Sequence, residues 1–176
     1  MQRSERRLNR VRLLGTTGRY MKLQIEWTRP IVLKDGRKSN LIYTTDLAKL
    51  PTVPGIYLLG RRWGTGFEAL YVGKANDIRA RVKGQFNNLR LMQHLKNTKT
   101  GRRILLTGRV VTRRGQQIAK CLDLVERTLI RHFLSEGHDL VNIQGTHLRR
   151  HELVSTGRHP KRYFPSLMYL EKTKGA

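Results

Sequence analysis

Acidic residues are scarce in this chain, and so are cysteines and long apolar runs. Twelve Asp and Glu stand against 36 Lys and Arg, a formal charge of +24 on 176 residues. That is far beyond the modest balance of an ordinary small soluble domain. A densely anionic partner is expected. Nucleic acid comes first, because contact with phosphates releases condensed counterions whatever the base sequence. A single cysteine, Cys121, excludes an internal disulfide and fits a reducing compartment. The expected location is the cytoplasm or the nucleoid, with an organelle as the alternative. No stretch reaches the roughly 18 consecutive apolar residues of a membrane-spanning helix, and no basic amphipathic helix of the membrane-lying kind is evident. An anionic membrane therefore ranks behind nucleic acid, and no membrane partner is expected. Residues 1–20 lack the apolar centre of a secretory signal. Glu5 and the scarcity of serine there weigh against organellar targeting. Zinc-finger and helix-turn-helix patterns are absent. His147 and His151 have metal-ligand spacing, but no third ligand cluster accompanies them and His151-Glu152 is not the HExxH order. A phosphate or RNA contact suits them better.

What is present is one patterned domain with basic ends. A chain of this length holds one compact core with appendages. Residues 1–20 carry six Arg against one Glu and read as a basic arm. Alternation of Leu23, Ile25 and Trp27 with polar neighbours, then Ile31 to Leu33 and the turn Lys34-Asp35-Gly36, predicts a short hairpin beside the main domain. Thr44-Thr45-Asp46 before Leu47 predicts a one-turn helix with a polar cap, closed by Pro51 and Pro54. From Gly55 onward, Ile56 to Leu59 and Ala69 to Val72 read as an antiparallel strand pair joined through Gly64-Thr65-Gly66, a turn and not a nucleotide loop. Asn76 or Asp77 caps a helix whose Ile78, Val82 and Phe86 share one face. Ile104 to Val111 is a third strand. A long helix runs from about Gln116 to Glu136 on the stripe Ile118, Leu122, Val125, Leu129 and Phe133, stopped by Gly137. Residues 146–176 are basic again, with seven Lys and Arg against two Glu, interleaved with Tyr163, Phe164 and Tyr169. The expected division is 1–50 as arm and hairpin, 51–145 as the central domain, and 146–176 as a basic tail.

Hydrolysis of a phosphodiester needs activated water, a cation facing the phosphoryl oxygens and usually a metal held by a carboxylate. Tyr57 and Tyr71 lie near adjacent ends of the predicted strand pair. Beyond Gly73-Lys74-Ala75, Arg81 borders the buried face of the next helix, where its guanidinium can be held in place. Glu126 stands four residues after Leu122 and four before Ile130, in or beside the apolar stripe, where a carboxylate needs a partner. Arg127 and Arg131 are the neighbours that would make it a plain salt-bridged residue. Cys121 reads as a buried helix residue.

Gly55-Ile56-Tyr57, then Tyr71-Val72-Gly73-Lys74-Ala75, then an arginine eight residues past the glycine, resemble the signature of the GIY-YIG nuclease superfamily. That superfamily includes excision-repair incision subunits, homing endonucleases and some restriction enzymes. The likeness runs from about Gly55 to Asn142. It implies an α+β fold with a small three-stranded antiparallel sheet flanked by helices, here with basic N- and C-terminal extensions. It implies one divalent ion, Mg²⁺ or Mn²⁺, held by Glu126. Tyr57 and Tyr71 would line the site and position or deprotonate the attacking water. Arg81 would stabilise the pentavalent phosphorus, Lys74 would add positive charge, and Asn142 would give a supporting hydrogen bond. One departure is Gln85, at the place where homing members carry histidine. Arg79, Lys83, Arg149, Arg150, Arg158, Lys161 and Arg162 are the expected nucleic-acid contacts. DNA is the preferred substrate because the resemblance prefers it, with RNA possible and a dimer open. The rival expectation is a catalytically silent domain of this type, serving as a structural RNA- or DNA-binding protein. A third places the nuclease in restriction, defence or a mobile element.

Overall fold

The computed structural model describes residues 23–141, 148–154 and 167–173. Strands β5 (Gly55–Trp63) and β6 (Gly66–Ala75) form the expected hairpin, each longer than the apolar run that announced it. They are followed by α1 (Ile78–Gln85), α2 (Leu89–Asn97), β7 (Arg102–Val111) and α3 (Ile118–Ser135). The fold is α+β. Asp77 caps α1 by accepting from the Ala80 N–H at 3.0 Å, and α3 stops at Gly137, whose φ of 84° is left-handed. Asp46 accepts from Ala48 N–H at the head of the short 3-10 turn Leu47–Lys49, as its sequence predicts. α2 has no counterpart among the predicted elements. Asn88 caps it, and Leu91, Met92 and Leu95 form its buried stripe.

The expectation of three strands is corrected to five. The sheet runs β1-β7-β5-β6, with β1 (Gln24–Trp27) and β2 (Ile31–Val32) both antiparallel to β7. The hairpin predicted for these two segments is corrected with it, because they pair with β7 and not with each other. Without them β7 would present a row of unpaired backbone groups. Side chains add to the fit: Ile25 and Trp27 cover Gly108, where any Cβ would meet Ile25 Cγ2 at 2.6 Å. The Thr28 and Thr107 hydroxyls lie 2.8 Å apart. β3 (Lys34–Asp35) and β4 (Tyr43–Thr44) form a separate small pair, as do β8 (Leu148–Val154) and β9 (Leu167–Thr173), with β9 beside α3.

Strand alternation divides the core between the two faces of the sheet. Tyr57, Leu59 and Leu105 pack with α1 and α2, while Ile56, Leu58 and Val72 pack with α3. A bulge interrupts the β5–β6 ladder, where Leu59 pairs with Tyr71 but Gly60 pairs with Ala69. The extra residue, Leu70, therefore turns toward the α1–α2 face together with Tyr71.

Candidate active site

The two tyrosines meet because the β5–β6 register places them diagonally on one face. Tyr57 is opposite Gly73 and Tyr71 is opposite Leu59. Their ring centroids are 5.8 Å apart with planes inclined by 26°. Tyr57 is fully buried, whereas Tyr71 is half-buried. Packing explains both signature glycines. A Cβ on Gly73 would run into the Tyr57 phenol, and one on Gly55 would strike the Gly108 carbonyl and Ile78 Cδ1.

From α1, Arg81 sets its guanidinium beside both phenols while its side chain stays open to solvent. The Tyr57 oxygen beside it holds the guanidinium charge in place above its usual range. The phenols respond differently from what a nearby cation alone would give. Burial pushes the Tyr57 phenol well above its ordinary value, with Tyr71 adding to the rise and Arg81 offsetting only part of it. Tyr57 therefore keeps its proton near neutrality. Gln85, on the buried stripe with Ile78 and Val82, donates from Nε2 to Tyr57 Oη at 3.0 Å and to Tyr71 Oη at 3.3 Å.

A second cluster lies on the α3 face. Lys74, three residues beyond Tyr71, points to the opposite side of β6. Its Nζ is 2.5 Å from Asp123 Oδ1 and 2.8 Å from Glu126 Oε2. Asp123 first and Glu126 second hold the Lys74 ammonium protonated above its ordinary range. Glu126 thus has its required partner, but across the sheet edge and not in Arg127 or Arg131. The structure brings Tyr57, Tyr71 and Arg81 together on one face, and Lys74 and Glu126 on the other. β6 carries one residue of each set, Tyr71 and Lys74, and is an edge strand of the sheet among the described residues.

The remaining predicted residues divide by what their side chains already hold. Arg79 donates through Nε and Nη2 to the Leu50 carbonyl at 2.9 and 2.7 Å, and to the Ala48 carbonyl at 3.1 Å. Its guanidinium ties the turn before Pro51 to α1. Lys83 is exposed on α1. Arg149 and Arg150 stand in β8 opposite Lys172 and Glu171. Asn142, Arg158, Lys161 and Arg162 lie outside the described residues, as does His147. Cys121 is buried as expected.

Two site neighbours escape the sequence reading. Asp123 precedes Glu126 by three residues, a spacing that puts two carboxylates on one helix face. Asn88 donates from Nδ2 to Gln85 Oε1 at 3.3 Å, and its signal was only that of a helix cap.

Among the described residues no group of three or more His, Cys, Asp or Glu forms a metal cage. One or two carboxylates with room for water is nevertheless the donor set Mg²⁺ accepts, since it keeps several waters and takes phosphate oxygens from its substrate. Glu126 with 19% and Asp123 with 55% of their side chains exposed fit that description, and the Lys74 ammonium shows them already oriented on a cation.

No family model matches the chain, and no solved structure matches it. UvrABC system protein C of Thermus thermophilus is 55% identical to it over 42 residues. That stretch makes up 24% of this chain but 6% of the relative, so the likeness concerns a small part of a much longer protein. Over those residues, the chain is similar to UvrABC system protein C.

Proposed function

We propose that this protein is a GIY-YIG-type endonuclease that hydrolyses phosphodiester bonds of nucleic acid, preferably DNA, by activated water with a divalent metal. The observation that carries the reading is Arg81, a solvent-facing guanidinium set beside two phenols, one buried and one half-exposed. A guanidinium fixed in this way offers charge-assisted hydrogen bonds to phosphoryl oxygens without reorganising as negative charge develops. Tyr71 presents its hydroxyl at the open side, where it orients water, and Tyr57 supports it from below with its proton retained. Glu126, assisted by Asp123, would hold the metal, which supplies charge neutralisation and a more acidic bound water. Lys74 is paired with those carboxylates until the metal takes them, and adds positive charge at the β6 edge. The 42-residue stretch that is 55% identical to UvrABC system protein C supports the same reading.

One observation favours a second reading. Glu126 is already paired with the Lys74 ammonium and Tyr57 is held protonated, the state of a quiet scaffold that binds nucleic acid through its charge. Cleavage of supercoiled plasmid and of labelled single- and double-stranded DNA and RNA, with Mg²⁺ or Mn²⁺, separates the two. Metal-dependent cutting that disappears in Arg81→Ala and Glu126→Ala supports the nuclease. Binding without cutting on any substrate supports the scaffold.

A further inference from the structure

Resting on that nuclease reading, we propose that Gln85 is the positioning residue of the tyrosine pair, with a side-chain amide locked so that both phenol oxygens accept from it. An amide's two ends look alike in shape, so the direction of its hydrogen bonds must come from its neighbours. The chain of neighbours here begins at a group that can only donate. The backbone N–H of Leu91 donates to Asn88 Oδ1 at 3.1 Å, which fixes which end of Asn88 is oxygen. Asn88 Nδ2 must then be the donor toward Gln85, and the Gln85 atom receiving it is Oε1. The other end of Gln85 is therefore Nε2, whose two N–H groups face Tyr57 Oη and Tyr71 Oη.

The consequence reaches the chemistry. Arg81, which can only donate, stands beside both phenols as well. The inner side of the pair is thus lined with donors, and the Tyr71 hydroxyl proton is left to point outward toward substrate. Gln85 is 7% exposed, so water does not compete for these positions. It neither gains nor loses a proton near neutrality, so it orients the phenols without relaying a proton and without adding a titration to the reaction. Its aim is set by the cap of α2, which makes the junction between α1 and α2 part of the site.

The test uses the full chain with tyrosine rings isotopically labelled at Cζ, the signals of Tyr57 and Tyr71 being assigned with Tyr57→Phe and Tyr71→Phe. Gln85→Met, close in shape but without donors, is expected to shift those two signals and leave the other tyrosines in place. Asn88→Asp keeps a good cap on α2 but withdraws the donor from Gln85, so the same two signals shift with little loss of thermal stability. In Mg²⁺-dependent nicking, Gln85→Met is expected to lower kcat roughly 10-fold or more with KM little changed. Gln85→His should add an inflection to the rate profile near about pH 6.5. Unmoved resonances in both Gln85→Met and Asn88→Asp overturn the proposal, as does an unchanged kcat for Gln85→Met in a chain that cuts. If the wild type does not cut, the nuclease reading fails and the resonances alone decide the positioning.

Discussion

The Tyr57 phenol rests on the bare backbone of Gly73, its opposite number across the β5–β6 ladder, with no space between them for a methyl group. Gly73→Ala should therefore push Tyr57 from its buried seat and separate it from Tyr71, Arg81 and Gln85. Overpacking of this kind costs about 1–3 kcal/mol. Denaturant unfolding should report that loss, and metal-dependent cleavage should fall further than the fraction of folded protein accounts for. Cleavage at the wild-type rate would show that the phenol's seat has no bearing on the site.

Arg79 and Lys83 lie on the same helix, but only one has a free charge to offer. Arg79 is committed to the Leu50 and Ala48 carbonyls, whereas Lys83 is exposed. Arg79→Ala should destabilise the fold by about 1–3 kcal/mol, because two carbonyls lose a charged donor, and leave the dependence of nucleic-acid affinity on salt unchanged. Lys83→Ala should leave stability alone and reduce the slope of log affinity against log salt by about 1. Binding titrations at several salt concentrations for both variants check the contrast, and the reverse pattern would refute it.

The residues that alternate or repeat with a helix's period were legible in the sequence, and those defined by pairing across the chain were not. Ile56 to Leu59, Ala69 to Val72 and the stripe from Ile118 to Phe133 announce their elements because each buries a regular face. β1 and β2 carry the right alternation, yet nothing local says that their partner is β7, some eighty residues away. α2 has the period too, in Leu91, Met92 and Leu95 behind the Asn88 cap, but the stripe spans little more than one turn, too short to stand out from its polar neighbours. At the candidate site, Tyr57, Tyr71 and Arg81 follow from strand register and helix phase. The burial that keeps the Tyr57 proton in place, and the seizure of Glu126 by Lys74, depend on depth and on opposite faces of β6, which spacing does not report.

His138 links acid stability to the β6 bulge. Its Nδ1 accepts the Ala69 N–H at 2.7 Å, so that nitrogen must be unprotonated in the fold. Burial is the main cause that lowers its pKa below the ordinary 6.5, with Glu68 and Glu136 opposing. A depressed folded value means that the unfolded chain takes up the proton first. The His138 contribution is thus complete above about pH 6.5 and is lost as pH falls through the folded value. Urea unfolding at a series of pH values should show stability declining below that point. His138→Gln should flatten this limb, and an equally steep limb in the variant would place the acid sensitivity elsewhere.

Lys74 occupies the carboxylates that the proposed metal needs, so ammonium and dication compete for Asp123 and Glu126. In Lys74→Met the two carboxylates are left facing each other without a counter-charge, a state that attracts a divalent ion more strongly. Mn²⁺ binding measured by electron paramagnetic resonance should therefore tighten in Lys74→Met and weaken in Glu126→Gln. Cleavage should nonetheless fall in Lys74→Met, because a tighter ground-state grip on the metal does not replace a charge near the scissile phosphate. Stability offers an independent check. The raised Lys74 pKa means that the ion pair's contribution is present below the ordinary lysine value of 10.5 and is lost only as pH climbs through the folded value. Between about pH 6 and 9 the pair should thus leave stability flat, and any competition with metal in that window is between two fully charged cations. Mn²⁺ affinity that stays the same when Lys74 is removed would mean that the metal does not use these carboxylates, and would move the candidate metal position away from α3.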